Sequence, residues 1–207
     1  MLSGRGSLET VIGTEYGPLG LLRRKPFERA GFELYTASVA AARAPGLFGT
    51  IGVPDTLEGR FDAIALHVAL LVHRLRHDPD PRGRELAQAV FDAMFADMDL
   101  NLREMGVGDM SIGRRVKAMW EAFHGRARAY EAALEAMGKA QDRTAESPPL
   151  ETAPLETVLA RNIWRDEPPE GAPALLAARA CRIAAALSAR GIGDLAAGRL
   201  DLLEFQT

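Results

Sequence analysis

Along this chain the apolar residues recur at intervals of three and four and do not settle into strict alternation, which is the period of α-helices and not of β-strands. The widest stripe is Leu57, Phe61, Ile64, Ala65, Val68, Leu71, Val72 and Leu75, broadened by Leu66 and Leu70. A stripe that wide predicts a helix with neighbours on several sides. Its start is marked by Pro54-Asp55-Thr56-Leu57-Glu58, where Asp55 is placed to cap and Glu58, three residues on, to complete a capping box. A second stripe, Leu86, Val90, Phe91, Met94, Phe95, Met98, Leu102 and Met105, predicts a helix over 82–105. A third, Ile112, Val116, Met119, Trp120, Phe123, Tyr130, Leu134 and Met137, predicts one over 112–137, with Gly125 expected to permit close packing. Between them Gly106-Val107-Gly108-Asp109 suits a left-handed helix end followed by a new cap, so the two helices should pack antiparallel.

A helix over 27–43 is expected to stop at Ala44-Pro45-Gly46, because proline disfavours an α conformation in the residue before it. Three shorter helices are predicted near 154–164, 172–189 and 194–204, after a polar stretch containing Gln141, Asp142, Ser147, Pro148 and Pro149. Residues 1–26 are rich in glycine and carry Arg23-Arg24-Lys25 ahead of Pro26, which reads as a mobile arm. No hairpin signature and no fixed-period repeat is present. The expected fold is therefore all-α, a single helical bundle of about six to seven helices with a mobile N-terminal arm. Its parts are the arm at 1–26, a core bundle at 27–139, a polar hinge at 140–153, and C-terminal helices at 154–207 packing on the bundle.

Composition narrows the class. The 207 residues are 47% hydrophobic and 26% charged, the balance of a soluble chain with a real core. A net charge of -3 gathers no DNA, so any polyanion contact needs a local basic patch. The one cysteine, Cys181, forms no internal disulfide and fits a reducing compartment. The start of the chain lacks the apolar run of an export signal. Arg179 and Arg182 interrupt the apolar 172–189 segment and argue against a membrane span. The expected location is the cytoplasm, with any membrane partner met from outside, at the inner face of the cytoplasmic membrane.

Candidate chemistry is sparse. Asp92, Asp97, Asp99 and Glu104 form an acidic cluster, but no Glu-x-x-His pair accompanies them as di-iron bundles require, and an Asp99–Arg103 pair across one turn explains part of it. His73 and His77 stand four apart, a spacing that presents two imidazoles to one metal, yet the sequence shows no third ligand, and histidines near a helix C-terminus also complement its dipole. His67 and His124 read as packing residues, and Cys181 as a buried small hydrophobe. There is no Gly-x-Ser-x-Gly elbow, phosphate-binding loop or Cys-x-x-Cys pair. No catalytic residue, metal or cofactor is expected. The 112–137 helix carries Arg114, Arg115, Lys117, Arg126 and Arg128, a basic patch for anionic lipid, RNA or an acidic surface.

The run Val53-Pro54-Asp55-Thr56-Leu57-Glu58-Gly59-Arg60-Phe61-Asp62, then Phe91-Asp92-Ala93-Met94-Phe95-Ala96-Asp97-Met98-Asp99 and Leu102-Arg103-Glu104-Met105-Gly106-Val107-Gly108-Asp109, resembles the ubiquinol-cytochrome c chaperone family. Ala122-Phe123-His124-Gly125-Arg126 and Ala129-Tyr130 continue the resemblance, with a weaker match at Ala160-Arg161-Asn162-Ile163. The first 26 residues take no part in it. The resemblance implies a helical, peripheral chaperone that binds newly made cytochrome b, an integral membrane client, and promotes its maturation into the bc1 complex. Mitochondrial relatives also work near the ribosome with a small helper protein; this chain has no Arg- and Ser-rich presequence, and a bacterial setting fits better.

Client contact is expected at Arg60, Asp97, Asp99, Arg103, Asp109, Arg126 and Tyr130, polar residues of the family-like strings. Two rival readings remain at this level. One is an all-α enzyme acting on an isoprenoid or quinone diphosphate through Mg²⁺ at the Asp92–Asp99 cluster; the other is a ribosome or RNA adaptor using the arm and the basic patch.

Overall fold

Proline, glycine and one threonine set most of the helix ends in the computed structural model, which describes residues 26–141 and 152–202. Among the described residues there are eight helices and no strand: α1 (Glu28–Ala42), α2 (Pro45–Gly49), α3 (Leu57–Arg76), α4 (Arg82–Glu104), α5 (Asp109–Gln141), α6 (Ala153–Trp164), α7 (Ala172–Ala189) and α8 (Ile192–Ala196). The fold is all-α, as expected. Residues 1–25 and 142–151, which hold nearly all of the expected arm and most of the expected hinge, lie outside the described residues.

Several details differ from the sequence reading. Pro45 does end α1, but it also opens the short helix α2, because proline's fixed φ and missing N–H suit the first helical turn. The cap of α3 is Thr56, whose Oγ1 accepts from the Gly59 N–H at 3.1 Å, while Asp55 instead accepts from Arg60 Nε at 2.6 Å. The last helix is short, ending at Ala196 and not near 204. Leu57 and Met105, assigned to apolar stripes, are exposed, since each sits in an end turn that no neighbour covers. Gly125 is not a close-packing glycine, because a Cβ built there meets nothing within 4 Å.

Helix α3 is central, packing against α1, α4, α5, α6 and α7. Ala63, Ala65, Leu66, Val68, Leu70, Leu71 and Leu75 are all buried on it, and each large side chain so hidden contributes about 1.5–3 kcal/mol. Helix α1 reaches α4 at a close crossing, where a Cβ on Gly31 would fall 2.6 Å from the Ala89 backbone. Gly106, at φ 76, makes the turn after α4 that only glycine enters freely. Helix α5 then returns along α4, with the rings of Phe91 and Phe123 5.6 Å apart. By length and composition α7 is the one helix among the described residues able to cross a membrane. It packs against α3 and α6, burying Leu176, Ala177, Ala180, Ile183 and Leu187. Its buried Arg179 donates to the Ala41 carbonyl at the C-terminal end of α1 (3.3 Å), where the helix dipole favours a cation.

Candidate functional site

A carboxylate sits in the apolar wall of α3. Asp62 is 1% exposed, and a buried charge persists only where partners compensate it. Two arginines do so from different helices. Arg165 Nη1, at the end of α6, donates to Oδ2 at 2.9 Å, and Arg126 Nη2, on α5, approaches Oδ1 to 2.8 Å, off the hydrogen-bond axis. Arg126 also lies over the Phe61 ring, 5.8 Å from its centroid. Burial pushes the Asp62 carboxyl above the ordinary carboxylate range, and both guanidiniums oppose that push.

Tyr130, one turn beyond Arg126 on α5, is buried beside the same cluster. Burial and the Asp62 charge raise its phenol above the usual range. The Tyr130 hydroxyl lies beside Asn162, and the Tyr130 hydroxyl, Asn162 Nδ2 and Arg126 Nε are buried without a well-aligned hydrogen bond in the protein. A site with several unsatisfied polar groups is where an incoming polar ligand gains most.

The backbone at Arg165 turns left-handed at the end of α6. Arg165 and Asp166 have φ of 58 and 69, left-handed values that cost a non-glycine residue about 1–3 kcal/mol and that cluster at functional sites. The Asp166 N–H donates to the Ala160 carbonyl (3.1 Å), and Trp164 Nε1 donates to the Gly52 carbonyl (2.8 Å), which fixes the end of α6 against the loop before α3. Above the cluster, between α5 and α6, lies an open groove of about 380 Å³ lined by Glu121, Ala122, Gly125, Arg126, Arg161, Asn162 and Arg165. Three guanidiniums, Arg126, Arg161 and Arg165, stand against the two carboxylates of Glu121 on the wall and Asp62 beneath, which leaves a small positive excess.

Of the seven residues expected at a client contact, the structure brings Arg126 and Tyr130 into this site. Arg60 pairs with Asp55 and lies over the Phe48 ring at 5.9 Å. Asp97 accepts from the Tyr35 hydroxyl at 2.7 Å, tying α4 to α1. Asp99 and Arg103 form the expected pair on α4, at 2.6 Å, and Asp109 opens α5. Arg114, Arg115, Lys117 and Arg128 are exposed along α5, with Lys117 3.9 Å from Glu121; Arg126 leaves that patch to face Asp62. None of these others lines the groove.

A family model described as ubiquinol-cytochrome C chaperone matches residues 50–203. The chain belongs to the ubiquinol-cytochrome c chaperone family. The matched span runs from the loop before α3 to beyond α8 and contains every residue of the groove. Among solved structures, the crystal structure of the Cbp3 homolog from Brucella abortus is 32% identical with a TM-score of 0.69, over 86% of this chain and 90% of that one. No curated protein matches.

Among the polar residues of the site in this chaperone-family fold, Asp62 beneath the groove and Glu121, Arg161, Asn162 and Arg165 on its lining were not selected from the sequence. Asp62 closes the first family-like string, Arg161 and Asn162 stand in the weakest one, and Arg126 and Tyr130 were selected on α5, so all three contributing helices carried a signal. Arg165 carried none, since an arginine after a helix reads as solvated.

Proposed function

We propose that this chain is an assembly chaperone that holds newly made cytochrome b and promotes its maturation into the ubiquinol-cytochrome c reductase complex. The observation that carries the reading is the family match over residues 50–203, which encloses the arginine-lined groove between α5 and α6. In this reading the groove between α5 and α6 receives a cytoplasmic segment of the client. Arg161 and Arg165 engage its acidic or carbonyl groups, while Arg126 and Tyr130 form the floor. Electrostatic complementarity of this kind selects the partner and its orientation more than it sets raw affinity. The exposed Arg114, Arg115, Lys117 and Arg128 suit anionic headgroups, which supports a position at the inner face of the cytoplasmic membrane. Membership of a chaperone family supports action by binding without catalysis.

The test is site-specific photo-crosslinking from position 161 of the full chain in cells labelled during synthesis. An adduct with newly made cytochrome b is expected. An adduct formed instead with ribosomal RNA or unrelated proteins contradicts the reading.

A further inference from the structure

Away from the groove, α3 ends beside α5 in a second cluster. His73 and His77, one turn apart on α3 and its cap, face Glu131 on α5. His73 Nδ1 lies 4.0 Å and His77 Nε2 3.9 Å from Glu131 Oε1. One ligand atom from each of the three residues lies within 4.8 Å of the others. These separations are too long for hydrogen bonds, so imidazoles and carboxylate do not satisfy one another. His73 Nδ1 is buried with no hydrogen-bond partner in the protein.

We propose that His73, His77 and Glu131 bind a divalent transition-metal ion, Zn²⁺ by ligand type, that staples the end of α3 to α5. Zinc takes imidazole nitrogen and carboxylate oxygen at about 2.0–2.2 Å in a tetrahedral site, so neighbouring ligand atoms sit roughly 3.4 Å apart. The two histidine–Glu131 separations must close from 3.9–4.0 Å, and the histidine–histidine separation from at most 4.8 Å, to reach that spacing. His77 is oriented for it, because its Nδ1 is 2.8 Å from the His73 carbonyl; donation there fixes the proton on Nδ1 and leaves the Nε2 lone pair toward Glu131, the supporting contact that metal-binding histidines typically make. Solvent reaches the cluster through His77, whose side chain is 52% exposed, giving the ion an entry path and a water for the fourth position. The Glu135 charge acts on the same site and favours a cation, and Arg76 opposes it. The carbonyl end of α3 adds a favourable dipole. Sequence spacing supplies the histidine pair, and the third ligand exists only because α5 packs against α3.

The test uses the full chain without an affinity tag, stripped with a chelator, titrated with Zn²⁺ by calorimetry and examined with Co²⁺ by visible absorption. Saturation at one ion per chain, with the intense visible bands of a tetrahedral Co²⁺ site, is expected. His77→Ala and Glu131→Gln, both partly or largely exposed positions, should each weaken Zn²⁺ binding by about tenfold or more while the metal-free chain keeps its circular dichroism and melting temperature. Absence of saturable binding, or binding that either variant leaves intact, overturns the proposal. The latter result, with Glu131→Gln still binding, identifies an adventitious histidine pair.

Discussion

Arg165 and Asp62 stand 103 positions apart in the chain and meet at 2.9 Å, joining the left-handed turn after α6 to the central helix. The contact couples the shape of the groove to the core, because the turn that aims Arg165 is strained and Asp62 holds its guanidinium in place. Removing the carboxylate strands Arg126, whose side chain is 17% exposed. Asp62→Asn is therefore expected to cost about 3–5 kcal/mol of stability, the range for breaking a buried ion pair from one side. Arg165→Ala should cost about 1 kcal/mol or less, since its side chain is 54% exposed and solvent screens the pair. Urea unfolding midpoints of the two variants against the parent chain check the ordering.

Arg161 is exposed, on the groove wall. Reversing its charge should leave folding within about 0.5 kcal/mol and weaken client capture. Arg161→Glu is expected to reduce the yield of co-purified cytochrome b at least severalfold at unchanged melting temperature, and raising the salt concentration should reduce capture by the parent chain as well.

Gly125 offers the opposite separation of stability from function. Nothing lies within 4 Å of a Cβ built there, and glycine inside a helix costs about 1 kcal/mol relative to alanine. Gly125→Ala should raise stability by up to about 1 kcal/mol. Gly125→Trp, which fills the groove, should abolish client capture in a chain that still folds, as circular dichroism and capture measured side by side will show.

Much of this architecture was legible in the residues. The apolar stripe of α3 predicted a central helix, and five helices pack against it. The Gly106 turn and the antiparallel return of α5 followed from glycine's backbone freedom. Helix α2 was hidden because Pro45 serves both as a stop for α1 and as the first residue of α2, two roles with one local signature. The site was harder to read. An aspartate amid apolar residues does not announce which cations will reach it, and Arg126 looked like a member of an exposed basic stripe until α6 brought Arg165 to the other side of the same carboxylate. Gly125, judged from its place in an apolar stripe, was expected to touch a neighbour and instead faces the groove. Contacts between distant segments, not helix periodicity, decide these points.

Acid should weaken the fold through His67. Burial holds its imidazole down at about 4, against about 6.5 in the unfolded chain. Between those values the unfolded chain binds a proton that the folded chain refuses, so stability falls as pH drops from about 6.5 toward 4. For His67 alone the loss between pH 7 and pH 5 is about 2 kcal/mol. Unfolding free energies at both pH values should show the parent chain losing more than His67→Gln, which cannot titrate; an equal loss in the two would remove His67 as the cause.

The central claim is that this chaperone-family member serves cytochrome b through the α5–α6 groove. It is tested most directly by the cytochrome b content of membranes, read by immunoblot and by reduced-minus-oxidised haem absorbance, in a deletion strain carrying the parent gene, Arg161→Glu or no gene. Selective loss of cytochrome b in the empty strain, restored by the parent and not by Arg161→Glu, with other b-type cytochromes intact throughout, is the predicted result. Unchanged cytochrome b in the deletion strain would contradict the account.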